Sequence, residues 1–178
     1  MTLPLPDLTA RARRVRLLLF DVDGVLTDCA VVMGPDGHEA KTFSIRDGAA
    51  LVWARQCGLE VGLLSGRPSE ATARRAAELG IDLVLQSAGN KRDPFLELIS
   101  GRGLAVEEVA YMGDDLADLP IVTRAGLAAA PADAAPEVAA RAHWVSRYPG
   151  GRGAVREFIE LVLRARDQWD GLVARHME

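Results

Sequence analysis

Six short apolar runs, each too brief for a helix, alternate along this chain with segments of helical spacing, and that alternation leaves few folds open. The runs lie at 16–22, 60–64, 82–86, 109–112, 126–130 and 143–145. Between them 47–57, 69–79, 92–100, 116–124 and 137–141 read as helices, with Asp47 as a cap and Gly58 and Gly80 as stop signals. Val155, Phe158, Ile159, Val162 and Leu163 share one helical face, which predicts a last helix from 154 to about 174. Strand–helix alternation predicts an α/β chain with a doubly wound parallel sheet and helices on both faces, Rossmann-like in outline. One interruption stands out: 30–45, around Gly34-Pro35-Asp36-Gly37, reads as a β-hairpin directly after the first strand. Residues 1–14, with Pro4 and Pro6, read as a loose lead-in, and 178 residues predict a single domain, 1–178.

Composition narrows the partners. The formal charge of −4 gives no footing for nucleic acid or an anionic membrane surface. The apolar run after Arg16 ends at Asp21, too early for a secretory signal or a membrane span, so the expectation is a soluble, cytoplasmic protein. Cys29 and Cys57 have neither CxxC spacing nor a base partner, and His38, His143 and His176 share no metal-ligand spacing. Of 21 basic residues only Lys41 and Lys91 are lysines, so a lysine here is informative.

Ligands of such folds bind beyond the carboxyl ends of the strands. Three predicted strands end there in polar residues: Asp21 and Asp23, Ser65-Gly66-Arg67, and Asp114-Asp115; Lys91 opens a helix on the same edge. A single Asp-rich loop is usually a set of helix caps and solvated carboxylates, but this ordered series on successive strand ends is not. Carboxylates so crowded call for a cation, and Mg²⁺ suits a few carboxylate oxygens with water and phosphate. Asp21 is placed to attack phosphorus and carry an aspartyl phosphate. Asp23 is placed to protonate the leaving alkoxide and then deprotonate water. Lys91 would supply a compact positive charge and Ser65 a hydroxyl donor.

Asp21-Val22-Asp23-Gly24-Val25-Leu26-Thr27, Ser65-Gly66-Arg67, Lys91 and Gly113-Asp114-Asp115 with Asp118 resemble, in order and spacing, the four motifs of the haloacid dehalogenase superfamily. The resemblance implies Asp21 as nucleophile, Asp23 as acid/base, and Ser65 and Lys91 as phosphate ligands. It implies Mg²⁺ held by the Asp21 and Asp114 side chains with the backbone carbonyl of Asp23, and leaves Asp115 and Asp118 as supporting residues. A halide needs no proton on leaving and an alkoxide does, so Asp23 favours a phosphatase or phosphomutase over a dehalogenase.

Superfamily members often carry an inserted cap domain. Here the interval from Asp21 to Ser65 is filled by the hairpin, a helix and a strand, and that from Ser65 to Lys91 by one helix and one strand, so no cap is expected. Thr27-Asp28, the hairpin, Phe43-Ser44-Ile45-Arg46-Asp47-Gly48 and Gly150-Gly151-Arg152-Gly153-Ala154-Val155-Arg156-Glu157 resemble the capless branch that hydrolyses an eight-carbon sugar acid phosphate for lipopolysaccharide synthesis. That branch implies a homotetramer in which neighbouring subunits do the work of the cap. Arg67 fits it, where relatives acting on nine-carbon sialic-type acids have glutamate. Arg46, Arg67, Arg147 and Arg152 are candidates for the substrate's carboxylate. The competing readings are a nine-carbon or broad-specificity phosphatase, a signalling receiver domain, and a silent oligomerisation or regulatory module. The intact Asp21, Asp23, Lys91 and Asp114 argue against the last, and the position of the acidic pair on the first strand argues against the receiver.

Overall fold

The first apolar run forms a strand buried on both sides in the computed structural model, which describes residues 3–86 and 89–178. In chain order the elements are α1 (Leu5–Ala12), β1 (Leu17–Phe20), β2 (Val32–Met33), β3 (Glu39–Ala40), α2 (Ile45–Gln56), β4 (Glu60–Leu64), α3 (Glu70–Glu78) and β5 (Leu83–Leu85). There follow α4 (Arg92–Gly101), β6 (Val109–Met112), α5 (Leu119–Val122), β7 (Leu127–Ala130), α6 (Pro136–Ala139), β8 (Trp144–Val145), α7 (Ala154–Ala165) and α8 (Trp169–Arg175). Short 3₁₀ turns at Val106–Glu108 and Leu116–Asp118 flank β6.

Six strands form one parallel sheet in the order β5-β4-β1-β6-β7-β8. The chain therefore starts in the middle, winds outward to β5, returns beside β1 and winds outward the other way. The turning point lies at the carboxyl end of β1, where such sheets open a crevice. Side chains of β1 alternate between two cores, Leu18 and Phe20 on one face and Leu17 and Leu19 on the other. The first core takes α1, α2, α7 and α8; the second takes α4, α5 and α6. The five apolar residues of α7 named from their spacing are all buried, and Phe158 packs edge-on against Phe20 with ring centroids 6.4 Å apart. Full burial of each such side chain contributes about 1.5–3 kcal/mol.

Four local expectations are corrected. The lead-in is partly helical: Pro4 caps α1, Pro6 sits in its first turn, where no N–H is missed, and Leu8 and Ala12 dock on the first core. The cap of α2 is Ser44, whose Oγ accepts from the Asp47 N–H at 3.2 Å. The last helix breaks into two at Asp167, which has φ +58°. The hairpin pairs only Val32–Met33 with Glu39–Ala40, because its outer residues have nothing to pack on; Val32 is 64% and Met33 65% exposed. The intervals from Asp21 to Ser65 and from Ser65 to Lys91 hold only these elements among the described residues.

Candidate active site

Asp21 follows β1 directly, and its N–H continues the ladder to the Met112 carbonyl at 3.0 Å. The chain then turns back: the Leu26 and Thr27 N–H groups both donate to the Val22 carbonyl. Gly24 has φ +89°, and a Cβ there would lie 2.0 Å from Asp114 Oδ2. The Asp114 carboxylate thus occupies the space that a side chain at position 24 would fill. The glycine-rich segment closes the loop from behind, where a Cβ on Gly150 would lie 1.8 Å from the Gly24 carbonyl oxygen. The Gly151 N–H donates to Val25 O at 2.8 Å, so this segment is packed rather than a free linker.

Asp118 organises the β6 side. Its Oδ2 accepts from the backbone N–H of Asp114 at 2.8 Å and of Asp115 at 3.2 Å; its Oδ1 accepts from Lys91 Nζ at 2.6 Å and the Tyr111 hydroxyl at 2.5 Å. Lys91 Nζ also lies 2.8 Å from Asp21 Oδ1, with its side chain 3% exposed. Burial works against the Lys91 charge, but Asp21 and Asp118 outweigh it and hold the ammonium above its ordinary range. Burial and the Asp118 charge push the Tyr111 phenol well above its ordinary range, so it remains a donor.

Asp21, Asp114 and Asp118 each bring a carboxylate oxygen within 4.8 Å of the others, the one such acidic group among the described residues. Burial first, then Asp118, raises Asp21 to about 6; burial, then Asp21 and Asp118, raises Asp114 to about 8. Asp118 already accepts four hydrogen bonds, whereas Asp114 Oδ1 is buried with no partner. Asp21 and Asp114 therefore fit a divalent cation, and Asp118 fits a support. Asp115 is exposed and caps the 3₁₀ turn through the Leu116 N–H.

Ser65, 1% exposed, follows β4 beside β1 and donates its hydroxyl to the Arg67 carbonyl at 3.1 Å; Gly66 is exposed. Asp23 lies between two cations, Lys41 Nζ at 2.7 Å from Oδ1 and Arg67 Nε at 2.9 Å from Oδ2. Arg46 stands apart from the acidic group. It lines a cavity of about 810 Å³ with Ser44, Arg147, Tyr148, Arg152 and Arg156, and no hydrogen bond or ion pair joins it to Asp21, Asp23 or Asp114 among the described residues. Three contributors were missed from the sequence: Tyr111, Lys41 and Glu39, which bonds Arg67 and the Ser69 hydroxyl. Only Lys41 carried a signal, its rarity. Asp47, expected as a cap of its own helix, instead accepts from the Gly153 and Arg156 N–H groups and caps α7.

A family profile for haloacid dehalogenase-like hydrolases matches residues 84–159. The 3-deoxy-D-manno-octulosonate 8-phosphate phosphatase KdsC of Escherichia coli strain B is 43% identical over 164 residues, covering 92% of this chain and 87% of its own. A probable YrbI-family phosphatase from Pseudomonas syringae superposes with TM-score 0.95 at 40% identity, covering 97% of this chain and 98% of the other. The 3-deoxy-D-manno-octulosonate 8-phosphate phosphatase of Moraxella catarrhalis, solved with a magnesium ion, a phosphate ion and a KDO molecule, superposes with TM-score 0.95 at 32% identity, covering 97% and 99%.

Proposed function

This chain belongs to the haloacid dehalogenase-like hydrolases, among the 3-deoxy-D-manno-octulosonate 8-phosphate phosphatases, and on that premise we propose that it hydrolyses 3-deoxy-D-manno-octulosonate 8-phosphate to the free sugar acid and phosphate. The observation that carries the reading is the Asp21–Lys91–Asp118 chain beside an unpartnered Asp114 oxygen, on a scaffold shared with phosphatases of that name. The Asp21 carboxylate oxygen attacks phosphorus as the bond to the sugar oxygen breaks, and Asp23 delivers a proton to that leaving alkoxide. Asp23 then takes a proton from water as its oxygen attacks phosphorus, which frees Asp21 and inorganic phosphate. Lys91 and the Ser65 hydroxyl hold the phosphoryl oxygens, and Arg67, beside Asp23, is assigned to the sugar's carboxylate; Arg46, which stands apart from the acidic group, is given no such contact. Asp21, Asp114 and the Asp23 carbonyl would hold Mg²⁺, which supplies positive charge to the phosphoryl oxygens.

The whole chain, 1–178, is assigned as one phosphatase domain, and its place as a cytoplasmic step supplying lipopolysaccharide precursor. No helix among the described residues is long and apolar enough to cross a membrane. A homotetramer is proposed because no cap covers the site among the described residues and the hairpin leaves Val32 and Met33 exposed; light scattering should give four chains, and a fully active monomer would refute it.

The substrate assignment is tested by phosphate release from a panel of eight- and nine-carbon sugar acid phosphates and simple sugar phosphates. The eight-carbon acid should have the highest kcat/KM. A preference for a nine-carbon acid, or equal rates throughout, overturns it; no release from any ester would leave a silent module.

The metal assignment predicts a pH-dependent thermal shift. A carboxyl raised in the folded chain keeps its proton longer than in the unfolded chain, so stability falls as pH rises from the ordinary carboxylate range through the raised value. For Asp21 and Asp114 that window runs from 3.8 to about 6 and about 8. A cation offsets this loss. Mg²⁺ is expected to raise Tm more near pH 8 than near pH 5, while EDTA removes activity. Equal shifts at both pH values would exclude these two carboxylates as the ligands.

A further inference from the structure

Each of the chain's two lysines is buried against a different aspartate of the loop after β1: Lys91 on Asp21, and Lys41 on Asp23. The Lys41 side chain is fully buried although its backbone is not. Lys41 comes from the hairpin, one residue beyond β3, and Glu39 lies two residues before it, so the two side chains leave an extended chain on the same face. Both turn toward the loop after β4. Glu39 Oε2 accepts from Arg67 Nη1 at 2.6 Å, and Glu39 also takes the Ser69 hydroxyl. Lys41 Nζ meets Asp23 Oδ1 at 2.7 Å as an ion pair without the alignment of a hydrogen bond, and lies 3.8 Å from Glu39 Oε1 and 3.4 Å from the Thr72 hydroxyl. Arg67 Nε closes a four-membered ring of alternating charges on Asp23 Oδ2 at 2.9 Å.

The two cations on Asp23 are not equivalent. Arg67 is partly exposed, with 41% of its side chain accessible, and a guanidinium fork suits a second carboxylate such as that of a sugar acid. Lys41, its side chain fully buried, ends in a compact ammonium that meets Asp23 at one oxygen only, Oδ1. When Arg67 exchanges Asp23 for a substrate carboxylate, Lys41 stays. A carboxylate with one oxygen held in an ion pair keeps its place while its other oxygen is released for proton transfer.

We propose that Lys41 is the positioning residue for Asp23, holding its carboxylate in the orientation used for proton transfer and thereby making the hairpin part of the active site. The proposal rests on the reading of Asp23 as the proton donor and acceptor. It accounts for one of the two lysines in a chain whose other cations are arginines.

The test is single-turnover phosphoryl transfer at saturating Mg²⁺ with two generic esters, glycerol phosphate and p-nitrophenyl phosphate. The alkoxide of the first needs a proton to leave and the nitrophenolate of the second does not. Lys41→Met is expected to slow the alkyl ester by about 10²-fold, the scale of a misplaced catalytic group. Its effect on the aryl ester should be at least about tenfold smaller. In an Asp23→Asn background Lys41→Met should cost nothing further, because both changes remove one function. If Lys41→Met does not fold, Lys41→Arg keeps the charge without the compact geometry and should show the same selective loss in smaller measure. Equal losses on the two esters, or additive losses in the double variant, overturn the proposal. An Asp23→Asn variant that cleaves glycerol phosphate at the wild-type rate overturns instead the role of Asp23 on which it rests.

Discussion

Asp21→Asn is expected to cut hydrolysis of the sugar acid phosphate by about 10⁶-fold, the scale seen when a covalent nucleophile is removed. An amide oxygen is a poor nucleophile, and no neighbouring carboxylate takes its place: Asp114 is assigned to the cation. Asp118 is saturated by Lys91, Tyr111 and two backbone N–H groups, and Asp23 is held by Lys41 and Arg67. The fold should survive, because the amide oxygen can still accept from Lys91. Stability without metal should rise near neutral pH, since Asp21 is a carboxylate raised by burial and by Asp118, and the substitution removes that strain. Phosphate release and thermal melts in EDTA read the two effects together. Activity within tenfold of wild type would remove Asp21 as the nucleophile.

Lys91→Ala is expected to fail in both respects. Its ammonium joins Asp21 at 2.8 Å to Asp118 at 2.6 Å with almost no solvent contact, so alanine leaves two buried carboxylates facing each other. Removing one partner of a buried ion pair costs about 3–5 kcal/mol. Loss of a preorganised donor to the phosphoryl oxygens slows the reaction by about 10²–10³-fold. Saturating Mg²⁺ should recover part of the stability and little of the rate. Lys91→Arg should not restore activity, because a planar fork cannot replace a point charge held between two oxygens. Full activity in Lys91→Ala with excess Mg²⁺ would show that the metal alone carries that charge.

Much of the architecture was legible because its signals are local. The runs that became β1, β4, β6 and β7 are buried on both faces, so they read as unbroken apolar segments, and α7 carries its buried face as plain spacing. The alternation implied that Asp21, Lys91 and Asp114 share one edge of a parallel sheet; the strand order that sets β1 between β4 and β6 and brings them together came from the structure. What was illegible depends on contacts between distant segments. Two prolines hid α1, since the same residue that breaks a helix interior suits its first turn. Tyr111 reads as one more apolar strand residue until its hydroxyl is seen on Asp118. The ring through Asp23, Glu39, Lys41 and Arg67 joins the first loop, the hairpin and the loop after β4, and no local pattern encodes such a ring.

The burial of both lysines has a consequence for the rest of the molecule. With Lys41 and Lys91 enclosed, the outer surface carries its positive charge on guanidinium groups and offers no ε-amine. Guanidinium keeps its proton at any pH a folded protein meets. Acetylation or carbamylation of lysine, which elsewhere erodes surface charge, finds no surface substrate here; an amine-directed acylating reagent that modified either side chain would report that the site had opened.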